Sequence, residues 1–140
     1  PIKFEAGTQR VSQAVAFAAA VRYLQHLGME NVEAWEHELG ARLVEGVQKI
    51  DGVRLLGPTD PTKRAGLVAL AIEGVHPHDV SGILDGEDVA IRAGHHCAQP
   101  LLTWLGVPSC CRASFAFYNE RRDIDALIHA LKTVWSMFNA

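Results

Sequence analysis

Val53-Arg54-Leu55-Leu56-Gly57-Pro58-Thr59-Asp60-Pro61-Thr62-Lys63-Arg64-Ala65-Gly66-Leu67-Val68-Ala69-Leu70-Ala71-Ile72 is the stretch that decides the fold. Val53 to Leu56 is a short run closed by Gly57-Pro58, and Gly66 to Ile72 is a longer apolar run. Apolar runs of this length, bounded by glycine and proline, read as strands. Thr59 to Ala65 between them reads as a loop with turn signals. The link is too short for a helical crossover, so the two strands are expected to pair antiparallel. The second is expected to be buried on both faces.

Upstream the period is helical. Val11 to Leu27 repeats apolar residues at helical spacing, with Val11, Val15, Ala18, Tyr23 and Leu27 as one candidate face. Alanines raise its propensity, and Gly28 is a fitting stop. A second helix is expected from Asn31, a good N-cap, to the Asp51-Gly52 stop. Its inner face is Val32, Trp35, Leu39, Leu43, Val47 and Ile50. Glu33, Glu36, Glu38, Arg42 and Glu45 form a solvated face.

Downstream, strands and short helices alternate. Pro77 to Leu84 fits a helix with Pro in its first turn and Asp79 near its N-terminus. Val89 to Arg92 reads as a third strand, Gln99 to Leu105 as a short helix, and Cys111 to Phe117 as a fourth strand. Asn119 is expected to cap a last amphipathic helix that turns Ile124, Leu127, Leu131, Val134 and Phe138 inward. Trp35, Trp104, Trp135, Phe115 and Phe117 occupy core-like positions. The expected fold class is α/β, with a small mixed, largely antiparallel sheet and helices on one face. The division is a helical region over 9–50 and a sheet region over 53–140 of one domain.

The 140 residues suffice for one core. Hydrophobic residues make up 49% and charged residues 21%, which excludes a disordered tail. The net charge of -3 and the lack of a basic stripe exclude nucleic acid as an expected partner. No apolar run is long enough to span a bilayer, and no signal peptide is visible, so no membrane role and a cytoplasmic location are expected. The chain opens on Pro1 without a methionine, as a fragment or a processed chain would. Three cysteines, two of them adjacent, make a poor disulfide framework and suggest a reducing compartment. Cys110 and Cys111 should point to opposite faces of their strand, one buried and one partly exposed.

The chemistry concentrates in Arg92-Ala93-Gly94-His95-His96-Cys97-Ala98-Gln99-Pro100. A thiol stands beside two imidazoles, with an arginine upstream and a helix opening behind it. Such neighbours favour the thiolate, the reactive form. Gly94 and the polar run suggest a loop on which Cys97 can swing. Arg112 lies in an otherwise apolar strand, where an unpaired charge is costly, and this marks it as functional.

Arg92 to Ala98, followed by Cys111-Arg112-Ala113-Ser114 and Tyr118-Asn119, resembles the C-terminal part of a SUF-type (group II) cysteine desulfurase. That group lies within the class V aminotransferases and includes selenocysteine lyase-like members. Phe4-Glu5-Ala6-Gly7-Thr8 is similar to the segment where the family's small domain begins. The resemblance spans essentially the whole chain, in order and spacing. It implies a C-terminal domain like those of fold type I pyridoxal 5'-phosphate (PLP) enzymes. It implies removal of sulfur from L-cysteine to leave L-alanine, with the sulfur held as a Cys97 persulfide and passed on for iron-sulfur cluster assembly.

The site roles follow from the resemblance, residue by residue. Cys97 would be the nucleophile, Arg112 would bind the substrate carboxylate, and Arg92 would help bind it or simply tune Cys97. Thr8 would reach the cofactor phosphate of a neighbouring subunit in a homodimer, or else cap the following helix. His95 and His96 would tune the reactive sulfur. His78 would contact a SufU- or SufE-like sulfur-acceptor protein, lending itself to a zinc ion there. None of Lys3, Lys49, Lys63 or Lys132 lies in the family's cofactor-lysine context. The large domain with that lysine is therefore expected to be absent, and the isolated chain to be inactive and without covalently held PLP. Three alternatives stand beside this reading. One is a PLP-independent persulfide carrier or interaction module, one a selenocysteine lyase domain, and one a metal site of His95, His96 and Cys97.

Overall fold

The computed structural model describes residues 2–139 as two compact units, one ending at Val32 and one starting at Glu33. In the first unit, a 3-10 turn at Ile2–Phe4 precedes helix α1, Val11–Leu27. Gly28 ends α1 with φ +84, a conformation that favours glycine, and its N–H returns to the carbonyls of Leu24 and Gln25. Helix α2 starts at Met29, two residues before the expected Asn31, and runs to Gln48. Asn31 does not cap α2. Its Nδ2 donates to the Leu27 carbonyl at 2.9 Å and so ties off the end of α1. α1 buries none of its residues, and Val11, Val15 and Phe17 stand 64%, 64% and 72% exposed. The expected inner face of α1 is therefore uncovered.

In the second unit the strands are β1, Val53–Leu56; β2, Leu67–Ile72; β3, Arg92–Gly94; and β4, Cys110–Ser114. They form one sheet in the order β1-β2-β4-β3, and every pairing is antiparallel. β1 and β2 pair as expected, Val53 opposite Ile72 and Leu56 opposite Ala69. The helices are α3, Pro77–Asp85; α4, Gln99–Trp104; and α5, Arg121–Phe138.

Strand periodicity splits the sheet into two faces. Val68, Leu70, Ile72, Cys111 and Ala113 turn to one side, into the main core with Leu39, Leu43 and Val47 of α2, Val80 and Leu84 of α3, and Leu127, Leu131 and Val134 of α5. Leu56 and Cys110 turn to the other side, where Leu102 of α4 meets them with Ala69, Leu105 and Val107 around the contact. The expectation of helices on one face thus needs one correction: α4 packs on the opposite face. β2, expected to be buried on both faces, is sealed on one only: Val68, Leu70 and Ile72 are buried, Ala69 and Ala71 are half-buried, and Leu67 at its start is 39% exposed.

Other boundaries move for local reasons. β3 begins at Arg92, not Val89; Val89 and Ile91 pack against the core without joining the ladder. β4 starts one residue early and stops at Ser114. α5 is capped by Glu120, which forms a reciprocal capping box with Asp123. Asn119 holds the preceding turn instead, accepting from the Ala116 N–H. The bond from the Glu120 N–H holds the Asp123 carboxyl below its ordinary range, helped by the Asn119 amide. Phe138 is 50% exposed and Trp104 80% exposed, so neither joins the core. Arg42 of α2 grips Asp125 of α5 with two bonds of 2.6 and 2.7 Å, which lowers the Asp125 carboxyl's range.

Candidate active site

The site is built on the α4 face of β3 and β4. Arg92 and Arg112 are direct cross-strand partners and share that face. Like charges placed opposite one another repel. Arg112 has no acidic partner among the described residues, and its Nε is buried without a hydrogen bond. A buried, partnerless guanidinium nitrogen is costly unless an anion arrives to satisfy it. Arg112 faces an open cavity of about 550 Å³, lined also by Lys63, Arg64, His95, His96 and Leu101. Its walls are largely apolar, so a carboxylate entering it finds weak competition from water.

Arg64, which also lines this cavity, is engaged by the backbone. Its Nε and guanidinium nitrogen donate to the carbonyls of Pro58 at 2.5 Å and Leu56 at 2.8 Å, and burial lowers its pKa from the ordinary value. It pins the β1–β2 loop to the end of β1. Lys63 is exposed and stands 3.8 Å from Asp60.

Cys97 lies in the chain between His96 and Ala98, both of which line the cavity. It is exposed, and Cys110 and Cys111 are buried. His95 to Ala98 forms a tight turn, closed by the Ala98 N–H donating to the His95 carbonyl at 2.9 Å. Its central residues, His96 and Cys97, both have φ +56. Positive φ at both centres is the pattern that Asn and Gly serve with least strain, and here neither residue is glycine. Each such residue costs about 1–3 kcal/mol, and strain of this kind gathers at functional sites. The two imidazoles differ. His95 is exposed. His96 is partly buried, its Nε2 lies 3.0 Å from the Cys110 carbonyl, and its Nδ1 is buried without a partner.

Cys110 and Cys111 do point to opposite faces, yet both are buried, at 2% and 1% exposure, because α4 covers the side expected to be open. Burial pushes both thiols up, Cys111 to about 12. The neutral Cys111 thiol then donates to the Pro77 carbonyl at 3.5 Å, which ties the start of α3 to β4. That start carries His76 and His78, both exposed and stacked with ring centroids 5.3 Å apart. His76 is the N-cap of α3, its Nδ1 accepting from the His78 N–H at 3.3 Å.

The structure therefore gathers Arg92, Arg112, His95, His96 and Cys97 at one place on the sheet. It places His78 on a neighbouring helix start and Thr8 in the first unit. Thr8 is exposed and is not the helix cap, since Arg10 holds that position. No group of three or more metal-ligating side chains is found among the described residues. Sequence reasoning missed the tie from Arg64 and the different settings of the two histidines. Proline and glycine around Arg64 marked its loop, but no sequence signal told His95 from His96.

Residues 1–127 match the model of the class-V aminotransferase family. A "probable cysteine desulfurase" of Staphylococcus aureus (strain Mu50) is 47% identical over 139 residues, covering 99% of this chain and 33% of the relative. Among solved structures, an apo cysteine desulfurase from Thermococcus onnurineus NA1 superposes with a TM-score of 0.90 at 36% identity, covering 98% of this chain and 34% of that one. The Escherichia coli cysteine desulfurase CsdA in its S-sulfonic acid form gives 0.87 at 36% identity, with coverage of 98% and 33%. The chain spans about a third of the length of the curated relatives it matches. With the matched model covering nearly all of its length, this chain belongs to the class-V aminotransferase family.

Proposed function

We propose that this chain is the sulfur-receiving part of a SUF-type, PLP-dependent cysteine desulfurase that acts on L-cysteine. The observation that carries the reading is the partnerless Arg112 Nε at a cavity lined by His96 and Ala98, the two neighbours of Cys97 on its strained turn. The names and folds of the relatives support the same reaction.

For PLP, the donor set of this chain fits one part of the cofactor. Thr8 offers a hydroxyl beside Gly7, whose φ is +87 and whose missing Cβ leaves open space for a phosphate oxygen. The only lysine at the Arg112 cavity, Lys63, is solvent-exposed and paired with Asp60, without the burial that activates an amine. The lysine that holds PLP is therefore assigned to residues outside this chain. When bound, PLP supplies the electron sink that allows the substrate's Cβ–S bond to break.

The residues of this chain then divide the work. Arg112 holds the substrate carboxylate through its forked N–H donors and fixes which way the sulfur points. Arg92, directly across the ladder, adds a second positive charge to the same anion. The Cys97 thiolate gives its electron pair to the substrate sulfur, forming an S–S bond. The Cβ–S bond breaks, its electron pair stays with carbon, and protonation there yields the methyl group of alanine. Cys97 is left as a persulfide, and no outside oxidant is required. His78, exposed at the start of α3, is offered to a zinc-containing acceptor protein.

The test is alanine formation from L-cysteine by the complete, PLP-loaded enzyme. Arg112→Lys should raise the KM for cysteine on the order of tenfold, because an ammonium cannot grip a carboxylate with a planar fork. An unchanged KM would remove Arg112 from the substrate site. The 140-residue chain alone should form no alanine and show no absorption band of covalently held PLP.

A further inference from the structure

We infer that His96 is a positioning residue that holds Cys97 in place by anchoring the 95–98 turn to β4; the consequence for turnover rests on Cys97 being the sulfur acceptor. Four observations lead there. The turn is strained at both centres, with φ +56 at His96 and at Cys97. Only one side chain of the turn reaches back into the sheet: the His96 ring, whose Nε2 lies 3.0 Å from the Cys110 carbonyl. That carbonyl belongs to the last rung of the β3–β4 ladder, where Cys110 faces Gly94. Cys110 is itself clamped at 2% exposure beneath α4, so the acceptor is fixed.

The chemistry of the ring follows from its partner. A carbonyl only accepts, so Nε2 carries the hydrogen. The ring is thus a strut between the rigid sheet and the residue just before Cys97. His95, exposed and without such a bond, cannot serve in this way. Gly94, at φ +124, is the last residue of the ladder, so no ladder pairing extends into the turn to fix it.

Two substitutions separate the strut from mere turn propensity. His96→Asn suits positive φ better than histidine, but its amide is too short to reach the Cys110 carbonyl. His96→Gln suits the turn less well, but its Nε2 can occupy the place of the imidazole Nε2. Both are made in the complete, PLP-loaded enzyme and read two ways. Amide exchange at Ala98 reports the turn, because that N–H closes it. The first-turnover burst of alanine, against the KM for cysteine, reports delivery of the thiol. The expected result is that His96→Asn loses protection at Ala98 and burst rate by tenfold or more, with KM within twofold. His96→Gln should keep both within threefold. Asn performing as well as Gln in either reading, or Gln failing as badly as Asn, would overturn the strut. A burst that persists in Cys97→Ala would overturn the sulfur-acceptor reading instead, and exchange at Ala98 would still decide the role of His96.

Discussion

Three cysteines lie within fifteen positions of one another in sequence, yet only one is available for chemistry. Cys97 is exposed on its turn, and Cys110 and Cys111 lie under α4 and in the main core. Iodoacetamide added to the folded protein near neutral pH should therefore label Cys97 alone, and all three after unfolding in urea. Intact mass and peptide mapping read this directly; a second adduct in the folded protein would contradict the burial of the pair. Arg112 shows the complementary situation. Its charge sits on a strand between two buried residues, with no acidic partner among the described residues and its Nε buried without a hydrogen bond. The motif around Cys97 was legible from residue types alone. The different settings of His95 and His96 were not, because a one-residue difference in a left-handed turn decides which ring meets the sheet.

The helices show what periodicity can and cannot tell. α1 was legible to its exact ends, Val11 and Leu27, because alanine-rich helical spacing met a glycine stop. What buries its apolar face was not legible, since a moment of hydrophobicity names a face and no partner; α1 buries nothing among the described residues. α4 errs in the opposite direction. Its length was foreseen to within a residue, but a six-residue helix carries too little pattern to say which sheet face it covers. Leu102 and Trp104, two residues apart on α4, make the resulting packing testable. Leu102 is 4% exposed and Trp104 80%. Leu102→Ala should cost about 2–5 kcal/mol in urea unfolding. Trp104→Ala should stay within about 0.5 kcal/mol. Equal effects would mean that α4 is seated differently. Proline at the first turn of α3 marked that helix, but the N-cap His76 was not recognised, because its use of a ring nitrogen as the capping acceptor is rare in sequence terms.

Taken as a molecule, the second unit ties several of the candidate-site residues to one strand. Cys110 offers its carbonyl to the Cys97 turn, Cys111 offers its thiol to the start of α3, and Arg112 faces the cavity. This arrangement has a pH signature. The folded-state Cys111 thiol is raised from 9.0 to about 12 by burial, and Cys110 is raised as well. Above pH 9 the unfolded chain releases these protons and the folded chain keeps them. For Cys111, stability is therefore complete below pH 9 and falls as pH rises from 9 toward 12, by at most about 1.4 kcal/mol per pH unit, and Cys110 acts in the same direction. Urea midpoints between pH 8 and 11 check this, and Cys111→Val should have the shallower alkaline slope; parallel slopes would contradict it. The antiparallel sheet and the main core were legible because strand and helix periods alternate cleanly from Val53 to Leu131. The two-sided packing that creates the cavity was not, since it depends on where a short helix returns to the sheet.

The most direct test is to locate the sulfur after a single turnover. The complete, PLP-loaded enzyme is mixed with less than one equivalent of L-cysteine, quenched, and its peptides weighed without reduction. The predicted result is one added sulfur atom on the peptide carrying Cys97, with alanine formed in equal amount. Alanine formed with the extra sulfur on Cys110 or Cys111, or on no cysteine of this chain, would contradict the assignment of Cys97 as the sulfur acceptor.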